Sequence, residues 1–276
     1  MIEALTIMKW PLIACLLLPG ILVYLGLHIV RREVIFVDLA LAQVASLGAC
    51  VSLLLGHEAG ETQTYLWSVG FTLVGAAIFA VTRMRNHSRV PQEALIGITY
   101  VVAAAAGILL LSRTAEGNEE LRRTLIGDVL LVSPKQVLKT FCIYLAIGAV
   151  HFVFRRKFMM ISFEPERAEA EGIAVRWWDF LFYALFGLVV TSFVQIGGVL
   201  LVFSYLIVPA VCANLLVKRV VALLALGWAI ATGSGVLGLY AAYRFDLPTG
   251  AAIICVLGAV LLLCGLVSLL WKKKTS

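Results

Sequence analysis

The chain of 276 residues is dominated by apolar stretches that are long enough to cross a membrane. Of its residues 62% are hydrophobic and only 14% are charged, whereas an average soluble domain carries about 25% charged residues. A transmembrane helix needs about 20 consecutive, mainly apolar residues. Nine segments meet this requirement, centred on 10–30, 35–56, 65–82, 94–112, 136–154, 178–195, 197–216, 220–242 and 250–271. The sequence therefore predicts an all-α polytopic membrane protein with about nine transmembrane helices.

The chain is predicted to form a single transmembrane domain over residues 1–276. It contains no G-x-x-x-x-G-K-[ST] motif, so it has no P-loop of its own for binding ATP. The sixth and seventh spans are separated only by "QIGG" (195–198), which predicts a tight hairpin or a broken helix. The net charge of +6 comes from basic residues at span ends and therefore indicates a membrane protein and no nucleic-acid partner.

The distribution of Lys and Arg predicts the orientation in the membrane. The basic segments are Arg31–Arg32, 83–89, 155–157 together with Arg167 and Arg176, Lys218–Arg219, and 272–274. All of them lie on one side if the loop around 162–175 is cytoplasmic, as the positive-inside rule requires. The prediction is an N-terminus outside and a C-terminus in the cytoplasm, which needs an odd number of spans. The segment 113–135 is then an external amphipathic segment.

One short polar segment interrupts the apolar pattern. The stretch "SFEPERAEAEGIAV" (162–175) places four Glu and one Arg within eight positions. Pro165 is a helix start signal and Gly172 a stop signal, which predicts a helix of about two turns. A helix this short is marginal in water by itself. We therefore expect it to dock against another protein.

Five stretches carry a resemblance to a known family. They are "RREVIFVDLALAQVASLG" (31–48), "PQEALIGITY" (91–100), "ISFEPERAEAEGIAVRWWDF" (161–180), "QIGGVLLVFSYLIVPAVCANLL" (195–216) and "LGLYAAYRFDLPTGAAIICVLG" (237–258). In this order they resemble motifs of the permease subunits of bacterial zinc, manganese and iron ABC importers. The resemblance covers the chain from about residue 30 to its C-terminus.

The resemblance implies a type II permease like that of cobalamin importers, in the bacterial inner membrane. It would work as a homodimer with the pathway at the dimer interface, beside an ABC ATPase subunit and a periplasmic or lipid-anchored metal-binding protein. The chain would bind no cofactor and would itself not be an enzyme; its ligand would be the transported divalent metal. The cytoplasmic coupling segment 161–176 would contact the ATPase through Glu164, Pro165, Glu166, Ala168, Ala170 and Gly172. The small side chains of Ala168 and Ala170 would allow a close approach.

Asp38 is the first candidate for the metal pathway, because a carboxylate inside a span is a functional candidate by default. The alternative is an acid near the interface, neutralised by Arg31 or Arg32. In the family the matching Asp is followed four positions later by His. Here position 42 is Ala, and Gln43 matches only when counted backward from Gly48. An amide is a poor zinc ligand, so the departure favours a harder ion such as manganese.

Glu93 is the second candidate, at the opening of the fourth span. Either it caps its own helix, where the dipole favours an acid, or it forms an inner gate. His57, Glu58 and Glu61 cluster on an external loop, which is either simply solvated or a collecting mouth for a cation.

Two other classes of function are weighed against the permease. A membrane-embedded enzyme would need a catalytic constellation, and no H-E-x-x-H motif is present. A proton-coupled secondary transporter would need ionisable residues deep in several spans.

Overall fold

The structure is a computed structural model that describes residues 2–58, 61–82, 91–112, 125, 127 and 129–275. Within these residues the regular structure is helical, which confirms the all-α prediction. The helices are α1 (Ile2–Leu17), α2 (Pro19–Arg32), α3 (Val37–Leu54), α4 (Thr62–Val81), α5 (Gln92–Leu111), a 3₁₀ helix (Val129–Leu131), α6 (Pro134–Val153), α7 (Arg155–Phe163), α8 (Pro165–Ala170), α9 (Val175–Leu216), α10 (Val220–Phe245) and α11 (Thr249–Thr275).

Eight segments of the described chain are long and apolar enough to cross a membrane. The predicted number was nine, and the difference lies in α9. This helix has 42 residues and is interrupted at Gly198, whose φ of 72° and ψ of 167° are not helical. At about 1.5 Å per residue an unbroken helix of this length would be roughly twice the thickness of the hydrocarbon core. The interruption falls in the predicted turn 195–198, so the two predicted spans correspond to the two halves of α9.

Prolines and left-handed residues set several helix ends. Pro19, Pro134 and Pro165 are the first residues of α2, α6 and α8, where a missing N–H leaves no intrahelical bond unmade. The helix α10 ends at Asp246, which has a φ of 53°. The predicted basic loop 83–89 and most of the predicted external segment 113–135 lie outside the described residues.

The chain divides into two compact units. The first comprises Met1–Val30, Ile126–Tyr144 and Ile196–Ser276. Small residues allow its helices to approach closely, as is usual in membrane bundles. A Cβ at Gly26 would clash with the carbonyl oxygen of Leu206. An apolar cluster of Leu27, Ala210, Ala213 and Leu223 joins the same helices to α10.

The second unit comprises Arg31–Leu125 and Leu145–Gln195. In it α3 packs against α4 and α5. Buried hydroxyl groups bridge α4 and the first half of α9: Thr72 and Thr191 are 3.0 Å apart, and Tyr65 and Ser192 are 3.2 Å apart. Such bonds fix one helix against another where water is absent.

The contact of Gly26 with Leu206 leads to a stability prediction. We expect Gly26→Ala to lower the free energy of unfolding by about 1–3 kcal/mol, because the new methyl group overpacks against a backbone atom that cannot move aside. Gly233→Ala is the matched control, since a Cβ there meets no atom within 4 Å. The control is expected to be neutral or stabilising, because Ala is the better helix former. Thermal unfolding of the detergent-solubilised protein measures both, and an unchanged melting temperature for Gly26→Ala would contradict the packing.

Candidate functional site

Asp38 is buried in the first turn of α3. Its exposed fraction is 1%. The nearest donors are the backbone amides of Asp38 and Leu39, but neither carboxylate oxygen has a hydrogen-bond partner of good geometry in the described part of the chain. The start of a helix favours a negative charge. Even so, a buried carboxylate without partners is unfavourable unless a cation or water reaches it.

Glu93 lies in the first turn of α5 and caps another helix. Its Oε1 accepts a hydrogen bond of 2.9 Å from the backbone N–H of Phe36, the residue that precedes the first turn of α3. Its Oε2 is buried and has no hydrogen-bond partner among the described residues. The neighbouring Gln92 donates a 3.0 Å hydrogen bond to the carbonyl of Phe79 near the end of α4. Glu93 is in the first turn of its own helix, where the dipole favours an acid as predicted, and it bonds in addition to the residue that precedes α3.

The carboxylate of Glu93 exerts an electrostatic repulsion on that of Asp38, which is the smallest of the influences on its charged form. Together they present three buried oxygen atoms without partners, two from Asp38 and one from Glu93. In the described part of the chain no group of three or more His, Cys, Asp and Glu side chains is placed to hold a metal ion. Asp38 and Glu93 are therefore a candidate pair of ligands, and carboxylate oxygens suit Mg²⁺, Ca²⁺ and Mn²⁺ better than softer ions.

Gln43 is on the same helix as Asp38. Because α3 runs unbroken from Val37 to Leu54, the two side chains are about 140° apart around the helix axis. Gln43 is mostly buried, with 8% of its surface exposed. The helix therefore does not bring Gln43 to the side occupied by Asp38, and the oxygen atoms of the candidate site come from Asp38 and Glu93.

Arg32 pairs with a residue other than Asp38. Its Nη1 donates to Asp179 Oδ1 at 2.8 Å, and its Nε donates to Ser162 Oγ at 2.8 Å. The guanidinium of Arg31 instead lies 5.3 Å from the centre of the Phe163 ring. The alternative in which Arg32 neutralises Asp38 by a hydrogen-bonded ion pair is wrong, because Nε and Nη1 of Arg32 bond to Ser162 and Asp179, and neither its Nη2 nor either Asp38 oxygen has a hydrogen-bond partner among the described residues.

Sequence reasoning missed Asp179. Its side chain has no exposed surface, and it lies in the apolar stretch "RWWDFLFYAL" (176–185). The rule that singled out Asp38, an acid one to two turns inside a span, also applies to it. Its partner is 147 positions away in the sequence, a distance that no local pattern bridges.

The predicted two-turn helix in the coupling segment is confirmed as α8, which begins at Pro165 and ends at Ala170. Gly172 follows with a φ of 69°, the left-handed geometry of a helix stop. Glu164, Pro165, Glu166, Ala170 and Gly172 are exposed. Arg167 bonds to Glu164 and Glu171, each at 2.9 Å, and these carboxylates raise the pKa of Arg167 above its usual range.

Ala168 differs from the other residues of the coupling segment. It has no exposed surface, so its methyl group packs against this chain. The expectation that Ala168 makes room for a partner is revised: its small size lets α8 lie flat on the chain's own surface. Ala170, which is exposed, keeps the expected geometry.

The loop after α3, which the sequence predicts to be external, has polar contacts at its ends. The Nδ1 of His57 is 3.2 Å from Ser52 Oγ, and Thr64 Oγ1 donates to the Glu58 carbonyl at 2.8 Å. Glu61 precedes the first residue of α4. These contacts order the loop and bring no set of ligands together within the residues that the structure describes.

The chain is similar to known transport proteins over most of its length. The model of the ABC 3 transport family matches residues 4–268. The manganese transport system membrane protein MntC of Listeria innocua is 32% identical over 203 residues, which are 71% of this chain and 72% of that protein. MntC of Halalkalibacterium halodurans is 27% identical over 271 residues, 95% of this chain and 90% of that protein. The solved structure of PsaBC from Streptococcus pneumoniae in complex with Fab has a TM-score of 0.80 at 25% identity, over 95% of this chain and 93% of that chain.

The cap that Glu93 provides to α3 leads to a stability prediction. Glu93→Ala leaves the Phe36 amide without its acceptor, and loss of a helix cap lowers the free energy of unfolding by about 0.5–2 kcal/mol. Glu93→Gln keeps an amide oxygen at that position and removes the repulsion from Asp38. We expect the Gln variant to be at least as stable as the wild type in the absence of metal. Thermal unfolding in a chelating buffer compares the three proteins, and equal losses for Ala and Gln would contradict the capping role.

Proposed function

Since the chain belongs to the ABC 3 transport family, and is therefore a transport subunit and not an enzyme, we propose that it is the permease of an ATP-driven importer of divalent metal. The proposed substrate is manganese. The observation that carries the proposal is the buried pair of Asp38 and Glu93. Two carboxylates with three unpartnered oxygens between them attract a divalent cation, because the ion replaces repulsion by attraction. The metal here is the cargo of the protein.

The ligand chemistry favours manganese over zinc. Zinc in proteins is bound mainly by Cys and His, with carboxylates in a smaller role, and the position of the family His is occupied by Ala42 or Gln43. Carboxylate oxygens suit harder ions such as Mn²⁺. The two MntC relatives are named as manganese transport proteins, which supports the same substrate for this chain.

A permease must hold its cargo weakly enough to release it. A site with only two protein carboxylates leaves coordination positions for water, so the ion keeps part of its hydration shell while it passes. Full coordination by the protein would trap the ion, whereas conduction needs a site that is both entered and left readily. The small donor set of Asp38 and Glu93 meets this requirement.

The energy for transport comes, in this proposal, from a separate ATPase subunit that docks on α8. The helix exposes the charged side chains of Glu166, Arg167 and Glu169 beside Ala170, which is a surface of mixed charge for a partner. The permease acts as a homodimer in the bacterial inner membrane, with its N-terminus outside and its C-terminus in the cytoplasm. A periplasmic or lipid-anchored metal-binding protein delivers the ion.

The role of Asp38 is tested by uptake of radiolabelled Mn²⁺ into proteoliposomes that contain the permease, its ATPase and its metal-binding protein. We expect Asp38→Asn to lower the uptake rate at least about tenfold, because removing one of two charged ligands weakens binding of a divalent ion. Glu58→Gln is the matched control, since it removes an exposed acid from the external loop.

Gln43→His is expected to raise zinc uptake relative to manganese uptake only if the pathway reaches the Gln43 side of α3.

Two outcomes would contradict the proposal. Uptake by Asp38→Asn at the wild-type rate would show that Asp38 is not on the pathway. Uptake that continues without ATP and stops when a proton ionophore is added would support a proton-coupled transporter instead.

The docking of the ATPase is tested by replacing each of two alanines of α8 by arginine. Ala170→Arg adds a bulky charge to the exposed side, and we expect it to abolish co-purification of the ATPase while the melting temperature of the permease stays unchanged. Ala168→Arg forces a charge into a buried position, and we expect a loss of stability of about 3 kcal/mol or more. If Ala170→Arg leaves both ATPase binding and uptake unchanged, then α8 is a solvated loop element and the partner docks elsewhere.

A further inference from the structure

Arg32 belongs to the second unit and contacts two of its helices, α7 and α9, at one buried point. It is the last residue of α2, and its donors bind Ser162 at the end of α7 and Asp179 in the first turns of α9, both at 2.8 Å. Its guanidinium also stacks 3.8 Å from the centre of the Phe182 ring. The side chains of Arg32 and Asp179 are 4% and 0% exposed. Because the two bonds use different nitrogen atoms of a rigid fork, Ser162 and Asp179 hold Arg32 in a single geometry.

From Ser162 the chain continues directly into α8. Ser162 is three positions before Pro165, and α7 and α8 pack against each other. Ala168, which has no exposed surface, packs α8 against the rest of the chain. The ring of Phe158 in α7 contacts two rings of α9, with centroid distances of 6.0 Å to Phe182 and 5.7 Å to Trp178. A packed layer of this kind transmits a displacement because it cannot be compressed.

The residues that follow Arg32 in the sequence connect it to the pair of Asp38 and Glu93. Only Glu33, Val34 and Ile35 separate Arg32 from Phe36, whose N–H bonds to Glu93 at 2.9 Å. The turn is closed by a 3.2 Å bond from the Val37 amide to the Val34 carbonyl. Glu33 has a φ of 57°, a conformation that a residue other than glycine adopts only when its surroundings enforce it. The turn is therefore short, internally bonded and fixed at both ends.

We propose that Arg32 is a positioning residue through which α8 acts on Glu93 and Asp38. This inference rests on the proposed function and adds to it the route by which the ATPase reaches the metal. A displacement of α8 moves Ser162 and Arg32, and the turn 33–36 carries that movement to the Phe36 amide. The bond from Phe36 either holds Glu93 Oε1 or releases it. The number of carboxylate oxygens free for the ion then changes with the state of the ATPase.

The experiment is hydrogen exchange on the complex of permease and ATPase in nanodiscs, without metal. It compares the nucleotide-free complex with the complex trapped by ATP and vanadate. In the wild type we expect trapping to change exchange in two places, in the peptide that covers 165–170 and by about fivefold or more in the peptide that covers 33–38. In Arg32→Lys we expect the response of the 165–170 peptide to remain and the response of the 33–38 peptide to disappear. The reason is that a lysine ammonium cannot donate to both Ser162 and Asp179 from the positions of the guanidinium nitrogens.

Arg31→Lys is the matched control. It is the neighbouring Arg, and a lysine keeps the positive charge that lies over the Phe163 ring. We expect the control to respond at both peptides like the wild type. If Arg32→Lys does not insert into the membrane, Ser162→Ala replaces it, since this variant removes one hydrogen bond and leaves the pair of Arg32 and Asp179 intact. Its response at 33–38 is expected to fall at least about twofold.

Three results would overturn the role of Arg32. The wild type could show no response at 33–38, Arg32→Lys could keep that response, or Arg32→Lys could lose the response at 165–170 as well. The last result would mean that Arg32 only maintains the docking surface. No metal is present in this experiment, so its outcome is independent of Mn²⁺ uptake. A complex that responds as expected but does not transport Mn²⁺ would contradict the proposed substrate and leave the role of Arg32 in place.

Discussion

A polar group inside the hydrocarbon must find its partner within the protein, because no water is there to replace it. The start of α5 is polar for a related reason, because its first side chains bond to backbone groups at the ends of two other helices. Gln92 satisfies a carbonyl near the end of α4, and Glu93 satisfies the amide that precedes α3. Two adjacent side chains thus hold the ends of two other helices. Since Glu93 needs only one oxygen for this task, its second oxygen is left without a partner among the described residues.

The same constraint separates the two buried aspartates into different roles. Asp179 forms an ion pair with Arg32 and therefore has a structural role. Asp38 has no such match among the described residues. A buried ion pair adds little net stability compared with apolar packing, but breaking it is expensive, so it fixes a geometry. An unpaired buried carboxylate costs stability by itself, which is the reason that Asp38, unlike Asp179, is proposed to meet a cation.

Much of the fold follows from local sequence patterns. The apolar stretches predict the spans, and Pro165 and Gly172 predict α8 to within two residues, since helix starts and stops depend on nearby residue types. The break in α9 is predicted by "QIGG", although the helix resumes after the single residue Gly198. The pairing of Arg32 with Asp179, the capping of α3 by Glu93 and the burial of Ala168 are not predictable in this way. Each depends on which helices become neighbours, and that is decided by packing over the whole chain.

If α8 is the docking helix proposed above, the burial of Ala168 means that it separates attachment to its own chain from recognition of the ATPase. One side of this six-residue helix is committed to the chain's own interior, while the residues around it face outward. Evolution can therefore vary Glu166, Glu169 and Ala170 without disturbing the membrane domain. A family of related transporters in one cell could keep each permease with its own motor by changing these outward positions alone. An engineer could exchange them in the same way to connect this pathway to a different ATPase.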